Sequence, residues 1–362
     1  MSSGARSELT TRTGFRGDVQ GLRAIAVIVV IAGHAGVSFL PGGFVGVDVF
    51  FVISGFLISQ VLLDEVASSG RISLRDFYAR RARRILPAAT LVLSVTVVAS
   101  LVWLSAVDAL RVVSDALWAS VFAANVRFAD VGADYFAAEQ APSPLQHYWS
   151  LAVEEQFYLV WPLLLLGLLW VARRRVAPQP VHGAALSPTR GTIVIGLVVV
   201  AACSLTYATV ATAADPVSTY FSTPARAWEL AVGAALAGVA RPLAGRLTLR
   251  ARGLLATSGL LAVTVACARY DAGTSFPGPA ALLPVLGTAA VLLAGSGGHP
   301  VESRATRALG VGPLRVVGDW SYSLYLWHWP LLVVPASALQ RPLTALETTA
   351  AVAATFVLAG AT

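Results

Sequence analysis

GLRAIAVIVVIAGHAGVSFL, residues 21–40, is the stretch on which the fold turns. It is apolar over the length a helix needs to cross a hydrocarbon core, yet it carries Arg23 and, eleven residues later, His34. At 3.6 residues per turn the two share one helix face, about 16 Å apart along the axis. An ionisable side chain inside a membrane span is a functional candidate by default. Something elongated fits between the two.

Working outward, the chain is 56% hydrophobic and only 12% charged, with a mean hydropathy of +0.72, which excludes a soluble domain. Its apolar stretches predict an all-α polytopic integral membrane protein with about ten transmembrane helices. They lie near 21–40, 43–66, 85–107, 149–172, 192–212, 223–240, 253–269, 280–296, 318–338 and 344–362. All 26 basic residues are arginine, and with the N-terminus cytoplasmic 21 of them fall on the inner side, as the positive-inside rule asks. That alternation requires 108–148 to be one external segment, its apolar part ALWASVFAANVRFA lying on or partly in the membrane. Residues 1–20 then form a cytoplasmic segment and 21–362 a single transmembrane domain. No cleavable signal peptide precedes Gly21, 173–191 reads as a connector, and the unflanked end TFVLAGAT suggests a truncated chain.

The arginines are split among loops without a basic domain, so nucleic-acid binding is not expected. Cys203 and Cys267 fall in separate spans and read as small core residues. No metal is expected, and the motifs of ATP hydrolysis, zinc proteolysis and α/β-hydrolases are absent.

Several polar residues sit where apolar ones are expected. Asp48, in GGFVGVDVFFVISGF, follows the turn LPGG and lies at a depth similar to His34; Gly42, Gly43, Gly46 and Gly55 beside it permit close helix approach. In SPLQHYWSLAVEEQFYLVWP the spacing puts His147, Ser150, Glu154 and Tyr158 on one helix face, with Glu155 turned about 100° away. A buried carboxylate facing a histidine fixes its tautomer, so His34 with Glu154 or Asp48 makes a candidate general-base pair. Alternatively the two glutamates pair with Arg127 or Arg226. Arg226 and Glu229, three apart, suit an intramembrane salt bridge. His328 lies mid-span among aromatic residues, as a site residue or a structural one, whereas His182 and His299 read as loop residues. On the inner side RISLRDFYARRARRILP either enforces topology and touches anionic lipid or binds phosphates through its guanidinium forks.

Taken together, Arg23-x10-His34, GGFVGVDVFFVISGFLI, ARRARRILP, HYWSLAVEEQFYLVWP, RAWELAVGA and YSLYLWHWP resemble the membrane acyltransferase-3 family. Specifically, they resemble the bacterial O-acetyltransferases that modify lipopolysaccharide O-antigen, peptidoglycan or other exported glycans. The elements occur in family order from about 14 to 335. The resemblance implies a multi-pass protein of the bacterial cytoplasmic (inner) membrane, with acetyl-CoA as donor on the cytoplasmic side and a carbohydrate or lipid-linked glycan as acceptor on the far side. It implies His34 as the catalytic residue, Arg23 as its motif partner, Glu154 as the recurrent carboxylate, and Arg80, Arg81, Arg83 and Arg84 as the basic donor-binding segment. Members of this type usually continue into an extracytoplasmic SGNH domain, which this sequence lacks.

The expected activity is therefore transfer of an acetyl group to a glycan hydroxyl, with His34 as general base or acyl relay. Glu154 and Asp48 would be its catalytic partners, with Arg23, His147, Ser150, Glu155, Tyr158 and His328 in supporting or acceptor-side roles. The rival expectation is a proton-coupled secondary transporter of a small polar solute, with His34, Asp48 and Glu154 as its relay.

Overall fold

The computed structural model describes residues 16–136, 142–175, 188–297 and 303–362, and every regular element among them is a helix. In chain order these are α1 (Gly17–His34), α2 (Gly46–Ser69), α3 (Leu74–Trp103), α4 (Ala106–Ser120), α5 (Ala124–Asp130), α6 (Tyr148–Arg175) and α7 (Pro188–Ala214). They continue with α8 (Pro216–Phe221), α9 (Thr223–Gly245), α10 (Leu249–Arg269), α11 (Leu282–Gly295), α12 (Arg304–Leu309), α13 (Gly312–Leu339) and α14 (Ala345–Ala361). Each of the ten expected spans coincides with one of the longer helices. Among the described residues six of them, namely α1, α2, α3, α6, α7 and α10, are long and apolar enough to cross a membrane, fewer than the ten expected; α11 and α14 are shorter apolar helices. The chain is a multi-pass membrane bundle. His182 and His299 lie outside the described residues.

Two boundaries differ from the sequence expectation. The arginine run belongs to α3, which starts at Leu74 because Ser73 caps it, its Oγ accepting from the Asp76 N–H. The residues expected as a loop are therefore turns of a helix, and their guanidinium groups are aimed by its periodicity. Conversely, α1 stops at His34, six residues before its apolar run does, because Gly36 takes a left-handed conformation (φ 76°) and turns the chain toward α2. Within 108–148, α4 buries a stripe of Ala109, Val112, Ala116 and Ala119, and the chain breaks between Ser120 and Ala124. Neither α4 nor α5 is long enough to cross a membrane.

Helix crossings depend on small residues. A methyl group on Gly55 of α2 would strike the Leu230 carbonyl of α9, and one on Gly233 of α9 would strike the Val52 carbonyl of α2, so the two backbones meet face to face. Gly43 stands in the same relation to Val29, which seats α2 against α1. Arginine-bearing ends gather together: Arg173 donates to the Gly70 carbonyl (2.8 Å), Arg241 pairs with Asp64 (3.2 Å), and Arg16 reaches Ser296 and the Leu292 carbonyl. Cys267 is buried as expected, but Cys203 is exposed on the outer face of the bundle, because α7 turns that side away from its neighbours.

Candidate functional site

His34 closes α1 and is met by a histidine 294 positions away. Its Nδ1 lies 2.9 Å from Nε2 of His328 on α13, and its Nε2 lies 2.6 Å from the Tyr135 hydroxyl. The two imidazoles are parallel within 5°, with centroids 5.1 Å apart. That separation exceeds the N–N distance by about one ring width, so the rings meet edge to edge rather than face to face. Trp329 packs on His34 in a tilted, edge-on arrangement with ring centroids 4.4 Å apart.

The sequence around His328 explains a third imidazole. Pro330 has no N–H, so the Leu326 carbonyl four residues earlier loses its helical donor. His147, just ahead of α6, occupies that carbonyl through Nε2 at 3.1 Å, and its ring stands against His328 with centroids 5.7 Å apart. Its Nδ1 is buried without a protein partner.

Between α1, α2, α3, α6 and α13 lies a cavity of about 160 Å³. Arg23, Arg81 and Arg84 line it together with Glu154, Glu155 and Tyr158, while Phe50, Phe51, Leu57 and Ile58 supply an apolar wall. Glu154 accepts hydrogen bonds from Ser54 and from Tyr158 (2.5 Å). Arg81 pairs with Glu155 at 3.0 Å and stacks its guanidinium on the Tyr158 ring at 3.8 Å. Arg23 donates to Gln20 (3.2 Å). The opposite wall is the hydroxyl pair Ser150–Tyr325, 2.6 Å apart, and Tyr325 also donates to the His147 carbonyl. Because Tyr325 packs on both His147 and His328, this pair stands between the cavity and His34.

A second polar cluster adjoins the first. Arg226 of α9 bonds Asp48 of α2 and Glu229, each at 2.9 Å, and all three are fully buried. The guanidinium sits against the rings of Tyr220 (4.8 Å), Phe276 (5.0 Å) and Trp149 (5.2 Å). Tyr135 touches both clusters: its hydroxyl faces His34 and its ring stacks on Tyr220 at 4.5 Å. Burial pushes the Tyr135 phenol well above its usual range, which keeps it a donor.

The structure thus brings Arg23, Arg81, Arg84, Ser150, Glu154, Glu155 and Tyr158 to one cavity, whereas His34, His147 and His328 do not line it and gather beyond Tyr325. The expected pairing of His34 with Glu154 or Asp48 is not formed. Glu154 is engaged by hydroxyls of α2 and of its own helix, and Asp48 is drawn to the Arg226 guanidinium. The alternative pairing of the two glutamates with Arg127 or Arg226 is not formed either, since Arg127 takes Asp115 (3.1 Å) and Glu155 takes Arg81. Arg80 and Arg83 of the expected basic set do not line the cavity, and Arg80 meets Glu65 at 3.5 Å. Ser54, Tyr135 and Tyr325 are site residues that sequence reasoning missed. Tyr325 carried a signal in YSLYLWHWP, one turn before His328, whereas Tyr135 in GADYF carried none.

Among the described residues, no group of three or more His, Cys, Asp or Glu side chains is arranged to hold a metal ion.

A family model described as an acyltransferase domain matches residues 16–362. The chain is 34% identical over 353 residues to the peptidoglycan O-acetyltransferase OatA of Listeria monocytogenes, covering 94% of this chain and 53% of that protein. It is 35% identical over 325 residues to the putative peptidoglycan O-acetyltransferase YrhL of Bacillus subtilis (87% and 48%). With the O-acetyltransferase OatA of Staphylococcus aureus it shares 32% over 323 residues (87% and 50%). The chain spans about half the length of the curated relatives it matches. No solved structure matches it.

Proposed function

The chain belongs to the acyltransferase-3 family, and from that premise we propose that it is an integral-membrane O-acetyltransferase with acetyl-CoA as donor and a cell-wall glycan hydroxyl as acceptor. The bundle crosses the bacterial cytoplasmic membrane ten times with its N-terminus inside, and residues 21–362 form the catalytic transmembrane domain. The observation that carries the reading is the 2.6 Å contact between His34 Nε2 and the Tyr135 hydroxyl. A hydroxyl already sits at hydrogen-bonding distance from the proposed base, in the geometry a general base requires.

The donor enters from the arginine-bearing side. Arg23, Arg81 and Arg84 offer guanidinium forks to its phosphates, and the apolar wall of α2 accommodates the pantetheine arm. The thioester end of the donor reaches His34 when the hydrogen bond between the Ser150 and Tyr325 hydroxyls opens to admit it. The acceptor hydroxyl takes the place of the Tyr135 hydroxyl, and His34 Nε2 removes its proton as the oxygen attacks the thioester carbonyl. The C–S bond breaks, and the proton moves from His34 to the departing thiolate. Glu154, held by Ser54 and Tyr158, acts in the cavity as an acceptor toward the donor's amide N–H groups. It does not act on the imidazole. The relatives named as peptidoglycan O-acetyltransferases support a peptidoglycan-type acceptor.

Release of free CoA from acetyl-CoA by the protein in nanodiscs, with peptidoglycan fragments as acceptor, tests the proposal. Turnover that disappears in His34→Ala while the protein stays folded is the expected result. Turnover equal to that of the unaltered protein would overturn His34 as base. Absence of both turnover and acetyl-CoA binding in folded protein would overturn the donor assignment.

A further inference from the structure

We infer that His328 is the positioning residue that fixes the tautomer of His34, in the place where a carboxylate was expected. The inference rests on the reading of His34 Nε2 as the base. Its evidence is a chain of three hydrogen bonds whose direction is set at one end.

His328 Nδ1 lies 2.6 Å from the Tyr325 carbonyl oxygen. A carbonyl only accepts, so the proton of His328 is on Nδ1, and with one proton per ring its Nε2 carries a lone pair. That lone pair faces His34 Nδ1 at 2.9 Å, so His34 donates there and its own proton is on Nδ1. His34 Nε2 is then the acceptor, and it receives the Tyr135 hydroxyl. Each step leaves no choice to the next: backbone carbonyl, His328, His34, hydroxyl. His328 is fully buried, its ring contacts are His34, His147, Tyr325 and Trp329, and among the described residues no carboxylate bonds it.

A backbone anchor and a neutral partner differ from a carboxylate in effect. The Tyr325 carbonyl belongs to the same helix as His328, so the orientation of both imidazoles follows α13 itself. When His34 takes the acceptor's proton on Nε2, its Nδ1–H stays on His328 Nε2. A neutral imidazole stabilises that cation less than an anion would, so the proton is readily returned to the thiolate sulfur.

Nitrogen-15 NMR of histidine-labelled protein in nanodiscs tests the assignment without turnover, the His34 signals being identified by their loss in His34→Ala. The expected spectrum of the unaltered protein has His34 protonated on Nδ1 and unprotonated on Nε2. In His328→Gln, where the amide oxygen accepts from His34 and the amide N–H₂ donates to Tyr325, that pattern persists and acetyl transfer stays within about tenfold. In His328→Leu the Nδ1 preference is lost, and kcat falls about 10- to 100-fold with an unchanged KM for acetyl-CoA, because the buried Nδ1–H of His34 is left without its acceptor. A His34 proton resting on Nε2 in the unaltered protein would overturn the inference, and so would Gln and Leu variants of equal activity. If His328→Leu does not fold, the unaltered spectrum and the Gln variant still decide. Should His34→Ala turn over normally, the base reading fails separately, because the tautomer is read in the resting protein.

Discussion

Tyr135 stands between two buried polar clusters that solve one problem in different ways. On its hydroxyl side His34, His328 and His147 form a set whose hydrogen bonds begin on backbone carbonyls of α13. On its ring side, past Tyr220, Asp48, Arg226 and Glu229 hold one another by charge, and Asp48 Oδ2, Arg226 Nη2 and Glu229 Oε2 have no protein partner. The first cluster is directional: it leaves one lone pair aimed at a hydroxyl, beside a cavity. The second is closed: its charges face each other and a cage of aromatic rings. Buried polarity by itself therefore does not identify the reactive group. The useful sign is a lone pair whose direction is imposed from behind.

If that distinction holds, the two clusters fail in different assays. The largest effect belongs to His34→Ala, which should lower acetyl transfer by about 10²- to 10⁴-fold, the contribution of a general base, while the unfolding midpoint in detergent barely moves. Next comes Arg226→Met, which leaves two carboxylates facing each other and should cost about 3–5 kcal/mol of stability by denaturant titration. Adding Asp48→Asn and Glu229→Gln should recover most of it. Recovery would confirm a structural triad, whereas a stable but inactive triple variant would erase the contrast between the clusters.

Two smaller effects refine the comparison. Arg81→Met removes one guanidinium from the cavity and unpairs Glu155. It should raise the KM for acetyl-CoA by about 10- to 100-fold, the worth of a charge-assisted hydrogen bond, with kcat nearly unchanged. A fall in kcat at constant KM would place Arg81 in the chemistry instead of donor binding. Tyr135→Phe should have the smallest effect, about 1 kcal/mol or roughly fivefold in kcat/KM, because the acceptor hydroxyl replaces the lost group. A loss as large as that of His34→Ala would mean that the phenol takes part in the reaction.

Much of this arrangement was legible in one dimension, and its limits follow from what a helical repeat encodes. Ser150, Glu154 and Tyr158 recur at i, i+4 and i+8, and they do share the cavity. Arg226 and Glu229, at i and i+3, do form a pair. Arg23 lines the cavity, whereas His34 lies outside its lining. Misreadings arose where a partner lay on another helix or a cap moved a helix boundary. Glu154 was expected at His34 because carboxylates commonly orient imidazoles, yet Ser54 and Tyr158 hold it. Asp48 finds its cation 178 residues away. The arginine run was expected as a loop, yet the Ser73 cap places it on α3, which separates Arg81 and Arg84 from Arg80 and Arg83.

By itself the sequence determined that the chain is helical and membrane-embedded, where its longer helices run, and which side chains share a face, because hydropathy and the 3.6-residue repeat are local properties of the chain. Only the tertiary structure decided that His34 meets His328 and Tyr135, and that Arg226 gathers Asp48. Those choices depend on how closely helices such as α2 and α9 approach at Gly55 and Gly233 and on which carbonyl Pro330 releases. Both are set by packing between segments far apart in the chain, where no periodicity reaches.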